Sequence, residues 1–318
     1  MGTKVYAPVM IPTLNRYEHF KRCIESLERC TDADKTDVYV GLDYPPSEKY
    51  VEGWKKIDAY LAEKEKQHGF KNLFVRRRTT NCGVGHEGGN GNLLLKELKL
   101  VSDKFIGTED DNEFSPCFLE YMNKALEKYK DYPQIIRISA YNGSEMRWVS
   151  SRNCFCNIDS PGYGIGGWFA KEAYLKIDYN QIQAELRASS KRLWRIFWTY
   201  PAIIQKAIRM IEKKENYGDV RLSMHNLLYG TFTLCPTLSM ARNWGCDGSG
   251  LHSGIVVGKE NEEIELSEHF ELDEIEIVVT KELCRGLRRR NMPKSLFSYY
   301  LHILYYLFEA YKFYFKKQ

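Results

Sequence analysis

Apolar residues recur along the chain in two alternating rhythms. Apolar runs of strand length at 4–11, 37–42, 72–77, 104–107 and 134–139 are separated by stretches with apolar residues at helical spacing. After the first run come Phe20, Cys23, Ile24 and Leu27; after the second, Tyr50, Val51, Trp54, Ile57 and Leu61; after the fourth, Phe118, Tyr121, Met122, Ala125, Leu126 and Tyr129. Strands buried on both faces read as near-continuous apolar runs, and helices between them cover both faces of a parallel sheet. The pattern predicts an α/β, Rossmann-like architecture over residues 1–140: a mostly parallel sheet with helices on both faces. Polar punctuation falls where strands end. It includes residues 12–16, Asp43, a glycine-rich loop over 81–92 ahead of a helix at 93–98, and Glu109, Asp110 and Asp111 ahead of Ser115 and Pro116. Ser115 and Pro116 suit the N-cap and first position of a helix.

The rhythm loosens over residues 141–280. Residues 160–169 mix glycine with aromatics, and Trp168 there is open to stack on a ligand or to fill a tight structural turn. The insertion at 178–216 is basic and aromatic, and Pro201 kinks or divides it. Residues 281–318 predict a basic, amphipathic helical tail. Phe297, Leu301, Leu304, Phe308, Tyr311 and Phe315 form one stripe, with Ser298, His302, Glu309, Lys312 and Lys316 in a narrow polar one. The uncharged run is shorter than the ~20 residues of a spanning helix, so the tail is expected to lie in a membrane interface, to pack on the domain, or to form a dimer seam. A homo-oligomer stays open on that last reading.

Composition narrows the classes. A hydrophobic share of 43% over 318 residues suffices for a full core. A net charge of +4 is too mild to point to nucleic acid, and the charge is concentrated at 76–78, 285–290 and 316–317. Nine cysteines without paired zinc spacing, behind an N-terminus that opens on a strand instead of a leader, predict a reducing, cytoplasmic compartment with the thiols buried as small hydrophobes.

The chemistry concentrates at the fourth strand. Its carboxyl end carries three adjacent acids, and ligands of open α/β sheets bind at that edge. Adjacent carboxylates repel unless a cation compensates them, and oxygen ligands suit Mg²⁺ or Mn²⁺ carrying a diphosphate. A solvated acidic loop is the plainer alternative. Arg16 and Asp43 fall at the ends of two other strands and are placed to converge on the same crevice. The glycine-rich loop lacks both the dinucleotide spacing and the P-loop pattern, leaving a connector or a substrate-shaping role.

In their order and spacing, Asn15–Arg16, Asp43, Glu109–Asp110–Asp111, residues 139–142 and 161–164, Asp219 and the loop through His252 resemble the GT-A fold inverting glycosyltransferases. The likeness is to family-2-like bacterial enzymes and, in motif order, to the N-acetylglucosaminyltransferase I type. The resemblance implies a nucleotide-sugar donor, most readily a UDP-sugar, with Mn²⁺ or Mg²⁺, in a hexosyl- or N-acetylhexosaminyltransferase. Thr13, Asn15, Arg16 and Asp43 would serve the nucleotide, Asp110 the ribose and Glu109 the sugar. Asn92, Trp168 and Ser249 complete the implied donor-binding set. Asp111 would be the metal ligand, with His252 at metal or phosphate, and the loop over 243–254 would close over the diphosphate. Asp219 matches the catalytic base; an N-cap for the helix it opens is compatible with that role.

The pattern departs from the family at Asp219, which lacks a second adjacent acid, and at the 178–216 insertion. Without a lumenal anchor, the expected setting is the cytoplasmic face of a bacterial membrane. The acceptor there would be a saccharide, such as a polyprenyl-diphosphate-linked one of capsule or O-antigen assembly. Two other readings stand beside this one: a sugar nucleotidyltransferase, and a catalytically silent scaffold of a polysaccharide assembly complex.

Overall fold

The computed structural model describes residues 6–249, 264–293 and 295–315. Its strands are β1 (Val9–Thr13), β2 (Asp37–Leu42), β3 (Asn72–Arg77), β4 (Lys104–Gly107), β5 (Asn112–Phe114), β6 (Ile135–Ser139), β7 (Cys154–Asn157), β8 (Ile165–Trp168), β9 (Phe232–Pro236) and β10 (Ala241–Asn243). Eight of them form one sheet in the order β3-β2-β1-β4-β8-β6-β9-β7, and only β8 and β7 oppose the common direction. The α/β class with a mostly parallel sheet is therefore as the rhythm predicts.

Alternation along the strands sorts the two faces. Val38, Val40 and Leu42 join Val9 and Ile11 in the large core under α1 (Tyr17–Glu28) and α2 (Val51–Lys64). Tyr39 and Phe105 face the other way, onto Leu94 and Leu98 of α3 (Asn90–Val101). Helix α4 (Phe118–Lys128) packs on β6 and β8.

Two boundaries differ from expectation. The first strand lies at Val9–Thr13 instead of 4–11, running through Pro12. Met10 accepts from Thr108 N on the β4 side, and Pro12, two residues on, points the same way after β4 has turned off, so its missing N–H breaks no ladder bond. Helix α4 begins at Phe118, two residues after Pro116; Ser115 Oγ still receives the Cys117 N–H at 3.2 Å.

The 178–216 insertion is three helices, α5 (Tyr179–Ala188), α6 (Ser190–Thr199) and α7 (Pro201–Lys213). Pro201 divides the last two as the first residue of α7, where its absent N–H costs nothing. Then come α8 (Gly218–Tyr229), α9 (Lys281–Asn291) and α10 (Leu296–Phe315), the last packed on α7. None of these helices is long and apolar enough to cross a membrane. Six of the eight described cysteines are buried thiols, and burial pushes Cys154 and Cys156 up to about 12.

Candidate functional site

Strand β4 is wholly buried, and it delivers Asp110 and Asp111 into a recess where each is 5% exposed. Two buried neighbouring carboxylates need donors, and three elements supply them. Thr13, the last residue of β1, donates from Oγ1 to Asp110 Oδ2 at 2.8 Å. Arg16, at the N-terminal boundary of α1, spans both acids: Nη1 lies 2.8 Å from Asp111 Oδ2, and Nη2 donates to Asp110 Oδ1. From the far end of the chain, Asn243 donates from Nδ2 to Asp111 Oδ1 at 2.6 Å.

Asn243 arrives through a small second sheet. Strand β10 pairs antiparallel with β5, directly after the acids, and sets Asn243 opposite Asn112. The following loop stays against the motif: Trp244 N donates to Asp111 O at 2.9 Å, and Gly245 N to Asn243 Oδ1 at 2.9 Å. Gly245 is required by close approach, since a Cβ there would stand 2.2 Å from Asp111 Oδ2. Beyond it, Asp247 meets His19 of α1 at 3.0 Å and Ser249 Oγ at 2.6 Å. Against a burial that would raise it, the hydrogen bonds from Ser249 and His19 hold the Asp247 carboxyl down to about 2.

The electrostatics follow from three acids facing one guanidinium. Burial pushes the Asp110 carboxyl up, and Arg16 only partly offsets it. Burial works against the charge on Arg16, but Asp110 and Asp111 outweigh it and hold the guanidinium charged. Glu109 stands in the same protein recess, and that surrounding, then Asp111 and Asp110, push its carboxyl up to about 7. The Glu109 side chain is itself exposed, so water softens that rise.

The cluster bears on a divalent cation in two ways. Its donors are carboxylate oxygens, the hard ligands that Mg²⁺ and Mn²⁺ take, and one guanidinium leaves negative charge over. Against that, Asp111 Oδ2 is held by Arg16, and the described residues contain no group of three or more His, Cys, Asp or Glu arranged around a metal position. A cation would therefore share Asp111 with Arg16 or displace it. His252 lies outside the described residues.

Arg16 converges on the crevice of the acids and pairs with both of them. Other residues expected at the donor are engaged within the protein. Asp43 is buried and has both oxygens taken by the glycine-rich loop, by Cys82 N at 2.8 Å, Gly83 N at 3.0 Å and Asn81 Nδ2 at 3.3 Å, with the next residue's Tyr44 N at 2.9 Å. It shapes the loop. Gly83, at φ +65°, provides the left-handed turn that aims its N–H at Asp43. Asn92 closes the other end of the loop, donating to His86 O at 2.6 Å. Asn15 uses its carbonyl to receive the Tyr17 N–H at 3.1 Å at the start of α1.

Trp168 is corrected from ligand platform to core. It is 5% exposed, its Nε1 donates to Leu126 O at 3.1 Å, and Lys171 Nζ sits 4.0 Å over its ring. Lys171 in turn donates to the carbonyls of Tyr129, Tyr132 and Ile135, closing the chain end of α4.

Asp219 is exposed in the first turn of α8, whose N-cap is Tyr217, so its carboxylate caps nothing. Its charge reaches the phenol of Tyr200, which lies in a second polar group. There Asp159 accepts from Ser223 Oγ at 3.0 Å and pairs with Arg290 at 3.5 Å, while Arg290 also faces Glu145 at 3.4 Å and the ring of Tyr141. Tyr141 lies two residues past β6, which is parallel to β4, so this group stands at the same sheet edge as the acids.

Asn243, Trp244 and Gly245 hold the motif, yet their part in it was not evident in the sequence. The available signal was an amide, an aromatic and a glycine in succession directly after a short strand.

Neither any protein-family model nor any curated protein matches the chain. Glycosyltransferases are among the solved structures it is similar to. One is the mannosyltransferase PcManGT from Pyrobaculum calidifontis, in complex with GDP-Man and Mn²⁺: 14% identity, TM-score 0.37, over 55% of this chain and 47% of that one. Another is the bifunctional glycosyltransferase WbbM, at 11% identity and TM-score 0.34, over 72% of this chain and 38% of that one. TarS of S. aureus is similar at 17% identity and TM-score 0.30, over 39% and 20% of the two chains. The chain thus spans less than half the length of each.

Proposed function

We propose that this chain is a metal-dependent, inverting glycosyltransferase of GT-A type. It moves a hexosyl or N-acetylhexosaminyl group from a nucleotide-sugar, a UDP-sugar in the first instance, to a saccharide acceptor. The acceptor is carried on a lipid, in bacterial surface polysaccharide synthesis at the cytoplasmic face of the membrane. The observation that carries the reading is the convergence of Thr13, Arg16 and Asn243 on Asp110 and Asp111 at one sheet edge. Nothing in a plain acidic loop calls for three donors from two segments this far apart in the chain.

In this reading Asp111, with Asn243 fixing its rotamer, would hold the divalent cation. When bound, the cation offsets charge on the departing diphosphate. Arg16, its fork held on both acids, supplies a second positive charge beside the diphosphate. Asp219, unencumbered at the α8 terminus, accepts the proton of the acceptor hydroxyl. The hydroxyl oxygen bonds to the anomeric carbon as the bond to the phosphate oxygen breaks, and that electron pair leaves with the nucleoside diphosphate. A single displacement with one base inverts the centre.

Thermal unfolding with UDP-, GDP-, dTDP- and CMP-sugars, each with Mn²⁺, Mg²⁺ or chelator, tests donor and metal together, because a ligand of the folded state raises apparent stability. A metal-dependent rise with one nucleotide is expected, and Asp219→Asn should keep that rise while losing transfer. No rise with any donor in folded protein makes this a silent scaffold. Release of pyrophosphate instead of a nucleoside diphosphate makes it a nucleotidyltransferase.

A further inference from the structure

Helix α10 packs on α7 with one face, where Ala310 and Phe313 are buried and Arg187 lies 5.0 Å over the Phe313 ring. Its opposite face has no partner among the described residues. Phe297, Leu301, Leu304, Phe308, Tyr311 and Phe315 recur along it at spacings of three and four, each between 49% and 75% exposed. A row of six large apolar side chains on a single helix far exceeds the scattered exposed hydrophobics of an ordinary surface.

Charge decides what covers it. On α7, the helix beneath, Lys206, Arg209 and Lys213 are exposed at spacings of three and four. Arg285 is exposed on α9, just before α10, and Lys312 near its far end. Exposed cations thus stand on the helix that α10 packs against, on the helix before it in the chain, and on α10 itself, where Lys312 lies 4.0 Å from Glu309. An anionic lipid surface accepts an apolar row among its acyl chains and exposed cations of the neighbouring helices among its headgroups. The tyrosines beside the row, Tyr300 and Tyr305, are 64% and 50% exposed and have the amphipathic form that settles at headgroup level.

We propose that the exposed face of α10, with the exposed cations of α7 and α9, is a docking surface for an anionic lipid bilayer. The helix lies in the interface plane. This deepens the membrane location within the proposed function and rests on that reading for its purpose, while its evidence and its test stand apart.

The test is co-sedimentation of the full chain with vesicles of phosphatidylcholine alone and with phosphatidylglycerol added. Binding is expected to be about tenfold or more stronger on the anionic vesicles and to fall with salt. Leu304→Glu with Phe308→Glu should abolish it, and Arg209→Gln with Lys213→Gln should remove the preference for anionic lipid. All four positions are exposed, and circular dichroism and thermal unfolding confirm that the variants remain folded. Asp111→Asn should bind vesicles as the wild type does, which separates failure of docking from failure of the transferase reading. Absence of binding in folded wild type, or binding unaffected by the glutamates, overturns the proposal. A dimer that dissociates on Leu304→Glu, in protein that ignores vesicles, assigns the face to a second copy and also overturns it.

Discussion

Asn243 donates its side-chain amide to Asp111 at 2.6 Å, across 132 positions of sequence. The bond ties the last acid of the motif to the segment that leads into the loop beyond it. A hydrogen bond to a buried carboxylate fixes the rotamer as well as the charge. Asn243→Ala should cost about 2 kcal/mol in urea unfolding, the usual loss for a bond to a charged group. It should also weaken the donor-dependent rise in melting temperature. Unchanged stability would mean that water replaces the amide.

Arg16 is the cation that Asp110 and Asp111 share, so its removal leaves two buried carboxylates short of charge. Arg16→Gln should lower stability by about 2–4 kcal/mol near neutral pH. If a divalent ion competes for the same acids, Mn²⁺ should raise the melting temperature of this variant more than that of the wild type. An equal response would place the metal away from Asp111.

Gly245→Ala sets a methyl group 2.2 Å from Asp111 Oδ2, so the carboxylate or the loop must move. The side-chain torsions of Asp111 can yield more cheaply than the β10–β5 backbone. Expected is a melting temperature within a few degrees of wild type, on the order of 1 kcal/mol, with donor binding largely lost. Retained donor binding would show that Asp111 does not contact the donor complex.

Glu109 titrates from above its usual position: its folded pKa of about 7 exceeds the ordinary 4.5. A folded state that holds its proton longer is favoured at low pH, and that advantage is lost as pH rises through about 7. Thermal unfolding followed from about pH 4.5 to pH 8 should show the wild type falling below Glu109→Gln as pH rises. The separation should be modest, because Glu109 is exposed and water screens it. Parallel curves would show that its neighbours leave it unperturbed.

The sheet was legible where an apolar run is bounded by polar residues: 37–42, 72–77 and 104–107 match β2, β3 and β4 to the residue. The first strand slid because Pro12 reads as a stop unless the end of β4 is known. Within the site, the acids and Arg16 were legible as residue types at a strand edge. Their mutual contact was not, because nothing local says that a guanidinium one loop after β1 will reach Asp111. Trp168 was ambiguous from sequence for a comparable reason. Its burial follows from β8 packing on α4, where Nε1 meets Leu126 O, and from Lys171, three residues on, turning back over the ring. Asp43 was read as facing the ligand, yet backbone N–H groups of Cys82 and Gly83 claim it, and backbone donors leave no trace in side-chain identity.

The pairing of β5 with β10 has a consequence for how the protein is made. Residues 112–114 leave the ribosome well over a hundred positions before their partners at 241–243. During synthesis the nascent acids therefore wait, with Thr13 and Arg16 already present but without the amide of Asn243. Contacts of such long sequence separation are the slow ones in folding. The recess takes its final shape only once residues 241–243 have been made, so the capacity to hold a ligand arises long after the acids themselves, and a fragment released before that point carries the acidic motif without the competence.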